Sequence, residues 1–118
     1  MKKKILMIDD DNELRILVSI YIRAAGYEMF QAINGQDGKE KLKTLIPDLI
    51  ILDMMMPVLD GIGFLRWLRQ EAKLNIPVLA FTSMNVDEIN IEIIGVTEIV
   101  FKPIELDKLI KQIDKVLV

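Results

Sequence analysis

Short apolar runs recur along the chain, and each ends in a residue that can do chemistry. Ile5-Leu6-Met7-Ile8 precedes Asp9-Asp10, and Leu49-Ile50-Ile51-Leu52 precedes Asp53. Val78-Leu79-Ala80-Phe81 precedes Thr82, and Ile99-Val100-Phe101 precedes Lys102. Runs of this length, rich in β-branched residues and separated by helical periodicity, predict buried parallel strands. The first strand spans Lys4–Ile8, the second residues 27–32, the third residues 49–52, and Pro77 opens the fourth. The first helix starts at Asp11-Asn12, both good caps, and ends at Gly26. Its core stripe reads Leu14, Leu17, Val18, Tyr21 and Ile22, while Ile16 and Ile20 fall on another face beside Ala24. The second helix carries Leu42, Leu45 and Ile46 and stops at Pro47. Asp60 caps a third helix with Phe64, Leu65 and Leu68 on one face. Residues 85–95 fit either a strand period or one helical face; poor helix formers there predict a short or loose fourth helix. Leu106, Leu109, Ile110, Ile113 and Val116 give the last helix a 3.6-residue stripe.

Five alternations of strand and helix predict an α/β fold with a parallel sheet and right-handed crossovers. The 118 residues suffice for one domain with a real core, so residues 1–118 are expected to fold as a unit. A hydrophobic content of 52% and a charged content of 28% point to a globular chain rather than a disordered one. The net charge of -3 gives no electrostatic case for direct nucleic-acid contact. Only four apolar residues follow Lys2-Lys3-Lys4 before Asp9, too few for a signal peptide, and no run approaches a membrane span. The cytoplasm is therefore the expected compartment. Cysteine and histidine are both absent, which excludes disulfides, thiolate or imidazole metal sites and a phosphohistidine on this chain. Val118 ends the last helix with no linker, as in a stand-alone or a trimmed domain.

In open parallel sheets, ligands bind beyond the carboxyl ends of the strands, near the point where strand order reverses. Asp9, Asp10, Asp53, Thr82 and Lys102 should therefore converge. Alone, an acidic run is usually a solvated helix cap, a threonine after a strand a turn residue and a Lys-Pro pair a loop. Together they offer three carboxylates, a hydroxyl and an ammonium. Hard cations such as magnesium take oxygen ligands. An aspartate can attack phosphorus, and the charge developing on the phosphoryl oxygens then calls for a metal, an ammonium and a hydroxyl donor. The run Met54-Met55-Met56 reads as adaptable packing beside Asp53, and Trp67 as a partly buried neighbour of the core.

Residues 4–11, residues 47–57 (from Pro47-Asp48 through Asp53 to Met56-Pro57), Asp60-Gly61, Thr82-Ser83 and Lys102-Pro103 resemble the receiver domains of two-component response regulators. The resemblance covers essentially the whole chain. It implies a flavodoxin-like doubly wound sheet of five parallel strands in the order 2-1-3-4-5, flanked by five helices. It implies that Asp53 accepts a phosphoryl group from the phosphohistidine of a sensor histidine kinase or phosphotransfer domain, and that an output partner or output domain reads the change. Mg2+, with Mn2+ as a substitute, would be held by Asp9, Asp10, Asp53 and the backbone carbonyl of Met55. Thr82 and Lys102 would contact the phosphoryl oxygens, the Lys102-Pro103 bond would be cis at Pro103, and Ile16 with Ile20 would sit where kinases dock. Catalysis would be confined to the chain's own phosphorylation and dephosphorylation.

Three features depart from the family pattern. Ile99 stands at the switch position that works with Thr82, where an aromatic is usual, and Phe101 is a weaker substitute on the same strand face. The stretch from Thr82 to Gly95 is short, and Val96 replaces a small residue. Two other readings compete. A haloacid-dehalogenase-like phosphohydrolase shares the residue types but wants an Asp-x-Asp followed by Thr or Val, whereas Asp9-Asp10-Asp11 runs into Asn12-Glu13. A receiver used only as a dimerising module would tolerate Ile99 but has no need of the complete five-residue set.

Overall fold

The structure is a computed structural model, and it describes residues 2–56, 59–83 and 95–118. Five strands form one parallel sheet: β1 (Lys4–Ile8), β2 (Glu28–Ala32), β3 (Leu49–Asp53), β4 (Val78–Thr82) and β5 (Glu98–Phe101). Their order is β2-β1-β3-β4-β5. The helices among the described residues are α1 (Asn12–Ala24), α2 (Gly35–Lys41), α3 (Gly61–Arg66) and α4 (Leu106–Val116). A π-helical turn, Trp67–Glu71, continues α3. The expected fourth helix, residues 85–95, lies outside the described residues except for Gly95, and so does Pro57.

Alternation along the strands sorts the core into two layers, because successive side chains point to opposite faces. Leu6, Ile8, Ile50, Leu52, Val78 and Ala80 pack with Leu42, Phe64, Leu65 and Leu68 on one face. Ile5, Met7, Leu49, Ile51, Leu79 and Phe81 pack with Val18, Ile22, Leu109 and Ile113 on the other. Central strands covered on both sides explain the continuous apolar runs: every residue of β3 and β4 is buried.

Two helices differ from expectation. The buried stripe of α1 is Arg15, Val18, Ser19 and Ile22, whereas Leu17 and Tyr21 are 45% and 41% exposed. Apolarity favoured Leu17 and Tyr21, but the spacing 15, 18, 19, 22 is the face that meets the sheet. In α2 the helix ends at Lys41, with Leu42 as its cap, and Ile46 is 60% exposed. Lys43 and Thr44 donate to the carbonyls of Glu40 and Lys41, tightening the end into successive turns before Pro47. The starts of α1 and α3 match the sequence reading, and Asn34 adds a cap to α2. Asp11, Asn34 and Asp60 cap α1, α2 and α3 by accepting from the N–H of Leu14, Asp37 and Gly63.

Candidate functional site at the carboxyl end of the sheet

With β1 and β3 adjacent and β2 lying beyond β1, the chain reverses its strand order between β1 and β3. A crevice forms where crossovers leave a sheet in opposite directions. Asp9 and Asp10 follow β1, and Asp53 closes β3, so all three arrive there. One carboxylate oxygen from each lies within 4.8 Å of the others.

Asp9 is fully buried. Its Oδ1 accepts from the N–H of Asp11 at 2.9 Å, while its Oδ2 has no hydrogen-bond partner. A buried carboxylate oxygen without a donor is expensive unless a cation or proton completes it. Asp10 is exposed, and Asp53 is 2% exposed. Asp53 Oδ1 accepts from the N–H of Met55 at 3.0 Å and from Lys102 Nζ at 3.4 Å. Lys102 Nζ stands 4.0 Å from Asp9 Oδ2, so one ammonium faces both buried carboxylates.

The neighbouring strand ends complete the rim. Thr82 ends β4 fully buried, and its carbonyl accepts from the N–H of Lys102 at 2.8 Å. The Lys102–Pro103 peptide bond is cis. Across from β3, Gly61 comes so close that a Cβ there would stand 2.5 Å from Met54 Cα and 2.8 Å from the carbonyl oxygen of Asp53. Glycine is required for that approach. Ile99 is half-buried and pairs with Ala80, while Phe101 pairs with Thr82 and is 44% exposed. Ile16 and Ile20 lie on α1, each 58% exposed.

Burial raises the affinity of the site for positive charge. Asp9 is pushed up to about 6, first by burial and then by the charges of Asp53 and Asp10; the Asp11 N–H and Lys102 pull the other way. Asp53 is also raised, chiefly by burial with a contribution from Asp10, against the opposing Met55 N–H and Lys102. The orphaned Asp9 Oδ2 and the crowded oxygens fit a divalent ion with oxygen ligands.

One residue of the neighbourhood escapes a search for strand-end chemistry. Arg15, buried on α1, reaches the carbonyl of Asp9 with Nη1 at 2.5 Å. Nothing in the apolar periodicity marks it, since the 15, 18, 19, 22 face is set by packing against the sheet.

Comparison with known proteins agrees with this geometry. Residues 5–114 match the model of the response regulator receiver domain. The chain is 41% identical over 83 residues to the alkaline phosphatase synthesis transcriptional regulatory protein PhoP of Bacillus subtilis, covering 70% of this chain and 34% of that one. It is 35% identical over 113 residues to the DNA-binding dual master transcriptional regulator RpaA of Synechocystis, covering 93% and 47%. The chain thus spans about a third to a half of the length of these curated relatives. Among solved structures, chemotaxis protein CheY4 of Vibrio cholerae superposes with a TM-score of 0.91 at 31% identity, covering 99% of this chain and 100% of that one. Response regulator TrrA of Thermotoga maritima, solved in complex with Mg2+ and BeF, gives 0.87 at 28% identity, covering 98% and 99%.

Proposed function

The chain belongs to the response regulator receiver family, and from that premise we propose that Asp53 is its phosphoacceptor, taking the group from the phosphohistidine of a sensor histidine kinase or phosphotransfer domain. The observation that carries this reading is the convergence of Asp9, Asp10, Asp53 and Lys102 at one strand-order reversal, with Asp9 Oδ2 left for a cation. In the transfer an Asp53 carboxylate oxygen forms a bond to phosphorus. The bond from phosphorus to the donor imidazole nitrogen breaks, and its electron pair stays on that nitrogen. Lys102 sits 3.4 Å from Asp53 and supplies positive charge to the incoming phosphoryl oxygens. Thr82 supplies a hydroxyl donor from the end of β4. Asp9, Asp10, Asp53 and the Met55 carbonyl would hold Mg2+, or Mn2+ in its place. When bound, the ion neutralises charge on the phosphoryl oxygens.

In this reading the chain acts on itself and not on a turnover substrate, and the receiver-family match supports it over the hydrolase alternative. Ile16 and Ile20 form the patch we assign to the kinase, an exposed apolar pair on α1. Thr82 and Ile99 are the switch positions of this reading. The output is read by a partner or a further domain, without membrane insertion or nucleic-acid contact by this domain, and the cytoplasm is the compartment of such a phosphorelay. No helix among the described residues is long and apolar enough to cross a membrane.

The direct test incubates the chain with Mg2+ and a small acyl phosphate and reads intact mass. One phosphoryl adduct is expected, absent after chelation and absent from Asp53→Asn. An adduct of equal yield in Asp53→Asn would sink the assignment.

A further inference from the structure

Arg15 has no part in the chemistry above, yet the residue is 7% exposed and its guanidinium ties three separate pieces of chain together. Nη1 donates to the carbonyl oxygen of Asp9 at 2.5 Å, Nη2 donates to Asn12 Oδ1, and Nε donates to Gln31 Oε1 at 3.2 Å. Asp9 lies just past β1, Asn12 opens α1 and Gln31 belongs to β2. All three acceptors are neutral. Burying a cation is unfavourable unless its donors are satisfied, and an apolar side chain would fill the same space more simply. What the planar fork adds is geometry, since its donors are fixed relative to one another.

The bond to Asp9 bears directly on the site. That carbonyl belongs to the planar peptide unit joining Asp9 to Asp10. Holding it sets the last backbone rotation of Asp9 and the first of Asp10, from which both carboxylates project. The same turn is closed from its other side by Asp9 Oδ1, which accepts from the Asp11 N–H. Three carboxylate oxygens within 4.8 Å repel one another, so the turn would relax outward without a restraint.

We propose that Arg15 is a positioning residue of the acidic site. It presets the Asp9–Asp10 peptide plane so that the carboxylates converge with Asp53 before a divalent ion arrives. The inference rests on the reading of the site as metal-dependent. Groups that orient ligands from behind typically change metal affinity by about 10–100-fold when removed.

The experiment uses the 118-residue chain and the variants Arg15→Lys, Arg15→Met and Gln31→Leu. Three quantities are read: Mn2+ affinity from the paramagnetic resonance of the free ion, metal-free melting, and amide exchange at Asp11. Both Arg15 variants should weaken Mn2+ binding by about tenfold or more and speed exchange at Asp11. Gln31→Leu removes the acceptor that anchors Nε, which loosens the fork on the Asp9 carbonyl, and should show a smaller loss in the same direction while melting cooperatively. In acyl phosphate reactions of Arg15→Lys, the loss should fall on the Mg2+ concentration for half-maximal labelling more than on the rate at saturating Mg2+. Parental Mn2+ affinity in a cooperatively folded Arg15→Lys would overturn the proposal. Should neither Arg15 variant fold, parental affinity and parental Asp11 exchange in Gln31→Leu would overturn it equally. A parent chain that binds no Mn2+ would instead overturn the metal-site reading, so the two failures are separated by the parent alone.

Discussion

Asp9 has one oxygen held by a backbone N–H and the other without a hydrogen bond, facing Lys102 at 4.0 Å, and this asymmetry sets the residue-scale predictions. Its carboxyl is raised from the ordinary 3.8 to about 6. Between those values the folded, metal-free chain keeps a proton that the unfolded chain has lost. The stability contributed by Asp9 is therefore full below about 4, declines as pH rises towards about 6 and levels off above it. Melting followed across pH 4 to 7 should show the advantage of Asp9→Asn over the parent growing through that window; a constant offset would contradict the account. Metal affinity should fall in the opposite direction, as the pH drops below about 6 and the carboxyl is protonated. Asp10 raises both buried carboxyls. Asp10→Asn should thus raise the metal-free melting temperature by a few degrees while weakening Mg2+ binding, and a lower metal-free melt would show that the carboxylates do not oppose one another. At this scale the site was legible because each of its residues terminates an apolar run. Arg15 was not legible, because a charge inside a helix reads as solvated until the packed face is known.

At the scale of elements, caps and strand runs were readable and faces were less so. Asp11, Asn34 and Asp60 are short polar side chains placed just ahead of helices, and each accepts the N–H bond its position predicts. Apolarity points to Leu17 and Tyr21 as the inner face of α1, whereas the buried face carries Arg15 and Ser19. The π-helical turn at Trp67–Glu71 carries no sequence mark that periodicity detects. Gly61 shows how an element serves the site. Its Cα sits against the Asp53–Met54 backbone with no room for a Cβ. Gly61→Ala should destabilise the fold by about 1–3 kcal/mol in urea titration and slow labelling of Asp53, since the strand end must shift. Parental stability in that variant would mean the approach is looser than described.

Across the whole molecule, function follows from strand order. The order 2-1-3-4-5 was expected from family resemblance, and alternation alone gave only a parallel α/β sheet. The observed order puts β1 beside β3 and so brings Asp9 and Asp10 to Asp53. The same architecture leaves Ile16 and Ile20 on the open side of α1. Ile16→Glu combined with Ile20→Glu should leave labelling by acyl phosphate intact and slow transfer from a phosphohistidine donor, and equal transfer rates would remove the patch from the interface. Residues 85–94, which the sequence marks as the least settled helix, lie outside the described residues. The most direct test of the central claim locates the phosphoryl group chemically. The chain is incubated with Mg2+ and acyl phosphate, treated with borohydride, which reduces an acyl phosphate to an alcohol, and mapped by peptide mass spectrometry. Conversion of Asp53 to homoserine is expected only when both Mg2+ and phosphodonor are present. Conversion at Asp9 or Asp10 with Asp53 unchanged would contradict the claim.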